Sequence, residues 1–255
     1  LRSLVGSEMC IRDRNKRVAS EYAAIEIIKQ IKAHPQTTLG LATGDTMLEV
    51  YPDLIELINL NQTDLSEVHT FNLDEYVGLG EGDKDSYHTY MHENLFNHNS
   101  SWVAENIHVP NGKAEDISQE IKDYEAQLEA EGPVDIQLLG IGENGHIGFN
   151  EPGASFESKT RVVDLTESTI NANKVHFERT EDMPTQAISM GLGSIMSAKR
   201  IILLAFGDKK ANAIQQLIEG KVSETLPASI LHQHDNVEIL VNDTIYQQLD
   251  WSKQQ

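Results

Sequence analysis

Apolar positions along this chain fall into two rhythms that alternate, short continuous runs and helical spacings. From Lys16 to Ala33 the apolar residues Val18, Ala19, Tyr22, Ile25, Ile28 and Ile31 recur at helical intervals, and His34-Pro35 ends the segment. Thr37–Thr43 is a short apolar run that predicts a strand; Gly44-Asp45-Thr46 and a helix over Met47–Asn59 follow. Val68–Leu73 predicts a second strand and Ser86–Phe96 a helix. A short extended piece at Ile107–Pro110 leads through the Asn111-Gly112 turn to a charged amphipathic helix over Ile117–Ala130. Val134–Leu139, Ala187–Met190, Arg200–Phe206 and Val237–Val241 complete the strands, and Val162–Leu165 follows the loop after the first of them. Helices are expected at Ser168–Phe177 and from Gly207 through Ile218, with a turn or short helix at Gly193–Ala198. Strands and helices in alternation, joined by short connections, predict a single α/β domain of Rossmann-like layout over residues 15–255, a largely parallel sheet flanked by helices. Residues 1–14 are mixed in charge and lack a sustained period; they are expected not to belong to the fold, and Cys10 is set aside with them.

The densest chemistry lies in Gly140–Gly153, directly after the buried run Val134–Leu139. Five glycines, of which Gly140, Gly142, Gly145 and Gly148 allow tight turns and close approach of a ligand, punctuate the stretch, and between them stand Glu143, Asn144, His146, Asn150 and Glu151. A plain polar turn would not need an imidazole and carboxylates packed into so costly a backbone. His146 and Glu151 suit an acid/base pair in which the carboxylate orients the imidazole. A metal is disfavoured there, because a third ligand at a recognisable spacing is lacking.

Two more loops are expected at the carboxyl edge of the parallel strands, where such sheets bind ligands. Thr43, Gly44, Asp45 and Thr46 form a strand–glycine turn–helix layout that offers backbone N–H groups to an anion. Asp74, after the second strand, is expected to be rigid and partly desolvated, as a general base requires; a turn-capping role is the alternative. Lys209-Lys210 opens a helix after a strand, which is unfavourable unless an anion lies between lysine and helix; two solvated lysines is the other reading. There is no GxSxG motif, so a serine nucleophile is disfavoured.

Composition narrows the partners. The 255 residues carry a formal net charge of −20, with 39% hydrophobic and 24% charged residues. That balance argues against nucleic acid and anionic membrane surfaces, and an anionic substrate needs a local cationic site. One cysteine excludes an internal disulfide and suits a reducing compartment, here expected to be the cytoplasm.

LGLATGDTMLEVY, TFNLDEYVGL, SYHTYMHENLF, DIQLLGIGENGHIGFNEPG and the block from Ala187 to Leu217 together resemble the glucosamine-6-phosphate deaminase (glucosamine-6-phosphate isomerase) family, from about Arg17 to about Asp243. The resemblance implies conversion of an amino-sugar phosphate, glucosamine 6-phosphate, to fructose 6-phosphate and ammonia, with neither metal nor organic cofactor. It implies Asp74 as the base moving a proton between C2 and C1, and His146, assisted by Asn144 and Glu151, as the group that opens the sugar ring. Thr43, Gly44, Asp45, Thr46 and Lys210 fall on its phosphate-binding positions.

The departures are specific. Asp45 replaces a small residue of the phosphate loop. Facing a phosphate, its charge would cost roughly 4 kcal/mol at ~4 Å and an effective dielectric of ~20, about three orders of magnitude in affinity; turned away, it would cap the next helix. Val175 occupies the position of a phosphate-clamping arginine, with Lys174 and His176 beside it. Residues 1–14 do not resemble the family's first strand, which predicts an unpaired sheet edge. Arg161 fits the family's basic allosteric segment while Val163 does not, so a non-allosteric enzyme, a monomer or homo-oligomer, is expected. The competing readings are a sugar-phosphate lactonase of the phosphogluconolactonase type and a non-catalytic sugar-phosphate sensor.

Overall fold

A computed structural model describes residues 10–12, 16–177, 179 and 182–253. The main sheet is built from β1 (Cys10–Arg12), β2 (Thr38–Leu41), β3 (His69–Asn72), β5 (Ile107–His108), β6 (Ile136–Gly140), β9 (Ile201–Ala205) and β10 (Val237–Val241). Their spatial order is β1-β10-β9-β6-β2-β3-β5, and every pairing is parallel. β9 and β10 are buried at every position, which explains their continuous apolar runs.

The exclusion of residues 1–14 is corrected here. Cys10–Arg12 add in register to β10, with Cys10 opposite Glu238 and Arg12 opposite Leu240, so the sheet edge expected to be bare is covered. Backbone pairing alone suffices for such an edge strand, which is why three residues without a hydrophobic rhythm gave no signal. The remainder of 1–14 lies outside the described residues.

α1 (Lys16–Ala33) keeps its expected bounds and buries Ala19, Ile28 and Ile31 as expected, but its inward face is shifted from the rest of the expected set. Ala19, Ala23, Ala24, Ile27, Ile28 and Ile31 are buried, while Val18 and Ile25 are about 40% exposed. Small alanines let α1 approach α2 (Met47–Asn61), against which it packs. At the amino-terminal edge of the sheet Arg200 bridges Glu26 of α1, at 2.7 Å, and Glu238 of β10, fastening helix to sheet.

A second sheet was not foreseen. β4 (Asp74–Tyr76), β8 (Gln186–Ser189) and β7 (Arg161–Asp164) form an antiparallel three-stranded sheet in the order β4-β8-β7. Asp74 therefore sits on a short strand of its own, two residues beyond β3, and its backbone is held opposite Ser189. A small core of Tyr76, Phe149, Leu165, Phe177, Met183 and Ala187 lies beside it. The other helices are α3 (Tyr87–Asn94), α4 (Ile117–Glu131), α5 (Glu167–Asn173), α6 (Leu192–Met196), α7 (Ala211–Ile218) and α8 (Asp243–Gln248), with a 3-10 stretch at Pro227–Gln233.

The strand order fixes where a ligand can enter. From β2 the chain moves to β3 on one side; from β6 it moves to β9 on the other. The connections after β2 and β6 diverge and leave a crevice at the carboxyl ends of these neighbouring strands. Thr43–Thr46 follows β2, and the glycine-rich loop follows β6.

Candidate active site

The loop after β6 holds its imidazole in a directed relay. Asn144 Nδ2 donates to Glu151 Oε2 at 2.8 Å, which turns Asn144 Oδ1 toward His146 Nδ1, also 2.8 Å away. That oxygen can only accept, so Nδ1 carries the proton and Nε2 of the neutral ring is left as the base. His146 Nδ1 is 3.5 Å from Glu151 Oε2. The hydrogen bond thus goes to Asn144, and Glu151 acts on the imidazole through its charge. The other carboxylate oxygen, Oε1, accepts from Thr166 at 3.1 Å and from Thr169. Burial opposes ionisation of Glu151, but His146, Thr169 and Asn144 outweigh it and hold the carboxyl down at about 2.

Gly142 is the seat of this ring. A Cβ there would overlap Nδ1 and Cε1 of His146, so Gly142→Ala should push the imidazole out of the relay. The expected result is a loss of about 10²-fold in kcat, the cost of misplacing a catalytic group by about 1 Å, with the circular dichroism of the wild type retained; unchanged kcat would show that the ring's place is not critical.

Asp74 contrasts with Glu151. It is buried, and no described residue donates a hydrogen bond to its carboxylate. Burial first, and the neighbouring Glu75 second, push its carboxyl up to about 8. Its Oδ2 faces Gly148, where an added Cβ would stand 3.6 Å away. The two loops also share Ser189, which opposes Asp74 in the sheet and whose Oγ accepts from the Phe149 backbone at 3.1 Å. Asp74 does not cap a turn. The adjacent Glu75 does the capping, accepting backbone N–H groups from Tyr76, Tyr87 and His88 at 2.9–3.0 Å, the last two in the first turn of α3. Burial still lifts the Glu75 carboxyl to about 7 against those three bonds.

The phosphate-loop residues and Lys210 come within electrostatic reach of each other. Gly44 takes a φ of +97°, its carbonyl accepts from Tyr90 Oη at 2.8 Å, and Tyr87 bonds the Thr43 side chain. Lys210 stands at the first position before α7, without a side-chain cap, and is half-buried; burial lowers its ammonium pKa against the charges of Glu143 and Asp45. Asp45 does not cap α2: Thr46 occupies that position, without a side-chain cap. The Asp45 side chain is 79% exposed and lies 3.8 Å from His176 Nε2, in the turn Lys174–His176. Val175 is exposed, and Lys209 pairs outward with Glu143 at 3.8 Å.

Sequence reasoning missed Thr166, Thr169, Asn173 and Tyr87. Thr166 caps α5 and Thr169 lies one turn on, so both hydroxyls reach Glu151 from a helix start. Asn173 donates to Tyr76 Oη at 3.1 Å, as does Tyr87 Oη. The capping signature Thr-x-x-Thr was readable; that it points at Glu151 depends on the second sheet.

Comparison with known proteins agrees with this geometry. The family described as glucosamine-6-phosphate isomerases/6-phosphogluconolactonase matches residues 12–241. A glucosamine-6-phosphate deaminase of Staphylococcus haemolyticus is 64% identical over 235 residues, 92% of this chain and 97% of that protein. One from Staphylococcus epidermidis is 55% identical over 229 residues, 90% of this chain and 94% of that protein. The solved structure of a monomeric glucosamine-6-phosphate deaminase superposes with a TM-score of 0.91 at 42% identity, covering 94% of this chain and all of that one. A 6-phosphogluconolactonase from Trypanosoma brucei shares the fold at a TM-score of 0.76 and 18% identity, over 96% of this chain and all of that one. A parallel sheet whose switch point is flanked by these two loops, matched over nearly the whole chain, places the protein in the glucosamine-6-phosphate isomerase/6-phosphogluconolactonase family.

Proposed function

We propose that the chain converts glucosamine 6-phosphate and water to fructose 6-phosphate and ammonia. The observation that carries the reading is the opposition of two carboxyl groups at one crevice. Asp74 is buried and pushed up to about 8, while Glu151 is held at about 2 within a relay to His146. Groups whose environments drive them apart in this way divide the acid and base roles. His146 Nε2 moves the proton that opens the pyranose ring, with Asn144 fixing its tautomer and Glu151 stabilising the imidazolium. Asp74 then takes the C2 proton of the open-chain aldehyde and returns it to C1. This leaves an imine at C2, which water hydrolyses with loss of ammonia. A carboxylate with raised basicity suits the weakly acidic C–H. Lys210, Thr43, Gly44 and Thr46 bind the phosphate, supported by the half-buried lysine beside the start of α2.

The outward Asp45 changes the expectation for that phosphate. A charge 79% exposed is screened by solvent. Its penalty is therefore far below the thousandfold of a charge facing the phosphate, and Asp45→Gly should lower KM by no more than about tenfold. The deciding assay is ammonia release from glucosamine 6-phosphate, with glucosamine as the unphosphorylated control and Asp45→Gly alongside. Release from the phosphorylated sugar alone is expected. No release from folded protein would overturn the reading, and hydrolysis of a sugar-phosphate lactone instead would replace it with lactonase activity.

The reading includes a monomer acting in the cytoplasm. It is supported by the monomeric relative and by the single cysteine; among the described residues, no helix is long and apolar enough to cross a membrane.

A further inference from the structure

Helix α3 carries chemistry that the reaction does not use. His88 and His92 are four residues apart, so one helical turn brings both imidazoles to the same face. The rings stack with centroids 4.5 Å apart and planes inclined by 28°. Both are only partly buried and so open to solvent ions. His92 is oriented on two sides. Its ring packs edge-on against Phe96 at 5.4 Å, and its Nδ1 lies 3.4 Å from Asn97 Oδ1. An amide oxygen only accepts, so in this contact Nδ1 bears the proton and the Nε2 lone pair is left for another partner, the arrangement in which metal-binding histidines are usually held. The His88 ring makes no hydrogen bond among the described residues, while its backbone N–H is fixed by Glu75 at 2.9 Å. The Glu81 carboxylate is within electrostatic reach of His88.

Two imidazoles in contact on one helix face are a bidentate donor set. Imidazole suits zinc, nickel and copper, and a pair at i and i+4 is the helical spacing that zinc helices use. Metal–nitrogen bonds of about 2.1 Å at a tetrahedral angle require donor atoms roughly 3.3 Å apart, a separation open to rings whose centroids lie 4.5 Å apart once they turn about their side-chain bonds. We propose that His88 and His92 form a binding site for a divalent transition-metal ion on α3, with water in the remaining positions and Glu81 as the neighbouring counter-charge. Among the described residues no three His, Cys, Asp or Glu side chains group to hold a metal. The site therefore has two protein ligands and exchanges its ion with solution, unlike a closed structural centre. Its occupancy bears on the rest of the molecule, because it ties together two turns of the helix whose first amides hold Glu75, next to Asp74. The same helix holds the Gly44 carbonyl through Tyr90.

The test is titration of the whole chain with NiCl2 and ZnCl2, followed by calorimetry and thermal unfolding. His88→Gln and His92→Gln are the test variants, and His98→Gln, an exposed histidine just beyond α3, is the control. One ion per chain and a raised Tm are expected for wild type and H98Q. Affinity should fall at least ~10-fold in either test variant, since removing one arm leaves only monodentate binding. In parallel, substoichiometric Ni2+ should broaden the imidazole NMR signals of His88 and His92 before those of the other histidines in the unaltered protein, a readout independent of any variant's folding. Wild-type affinity in both test variants, first broadening at other histidines, or no binding by the wild type would each overturn the proposal.

Discussion

Asp74→Asn should lower kcat by about 10²–10⁴-fold, the usual contribution of a positioned general base, while glucosamine 6-phosphate still binds with near wild-type affinity. The asparagine keeps the shape and removes the carboxylate to which the proposal gives the C2 proton. Because the variant turns over so slowly, its affinity can be measured by calorimetry with the substrate itself. The wild type carries the matching pH signature. Asp74 is pushed up to about 8 in the folded protein, so kcat/KM should fall with decreasing pH below about 8 as the base is protonated.

Stability supplies an independent check with a defined sign. Between the ordinary carboxyl value of 3.8 and about 8, the folded chain keeps a proton on Asp74 that the unfolded chain releases. The contribution of Asp74 to stability is therefore full below about 4, declines as pH rises toward 8 and levels off above it. Asn cannot ionise, so Asp74→Asn should gain on the wild type as pH rises through this window. Urea unfolding of both proteins from pH 5 to 9 measures the difference. Unchanged turnover would remove Asp74 from the mechanism. A pH-independent difference in stability would show that its carboxyl is not raised.

The parts of the molecule that were legible in the sequence are those where pattern and structure serve the same end. β9 and β10 are buried on both faces and read as unbroken apolar runs; α1 is bounded by its own periodicity and His34-Pro35. The second sheet was illegible because its strands obey other demands. β4 is Asp-Glu-Tyr, a run no hydrophobic pattern would mark as buried. It is buried because Asp74 is held in the crevice, Glu75 caps α3, and Tyr76 packs against Tyr87 and Phe149 with ring centroids 4.8 and 5.6 Å away. Local rules fail most readily where function sets the residues. Likewise Asn144, His146 and Glu151 could be picked out because one glycine-rich loop carries all three. Thr166 and Thr169 could not, since their hydroxyls meet Glu151 only after β7 and β8 have paired.

Glu151→Gln should cost both catalysis and stability, and it separates the relay from the base. Each carboxylate oxygen of Glu151 accepts hydrogen bonds: Asn144 donates on one side, Thr166 and Thr169 on the other. A glutamine has one oxygen and one NH2, so whichever way it turns, an amide faces a donor. If it faces Asn144, that side chain is driven to flip. The flip puts an NH2 against His146 Nδ1, moves the ring proton to Nε2 and removes the free base. A loss of about 10²-fold in kcat is expected, with the loss concentrated in ring opening, so a burst of open-chain turnover should not precede it. The stability term runs opposite to that of Asp74. Glu151 is depressed to about 2 from an ordinary 4.5, a gap corresponding to about 3 kcal/mol. That contribution is full above 4.5 and is lost as pH falls toward 2. The wild type should therefore exceed Glu151→Gln above pH 4.5, and the margin should shrink as pH falls below it. Urea unfolding of the pair from pH 3 to 7 reads it directly. A margin that is the same at pH 3 and pH 7 would mean that the carboxylate charge is not what holds the relay together, and the orientation of His146 would then rest on Asn144 and the seat at Gly142 alone.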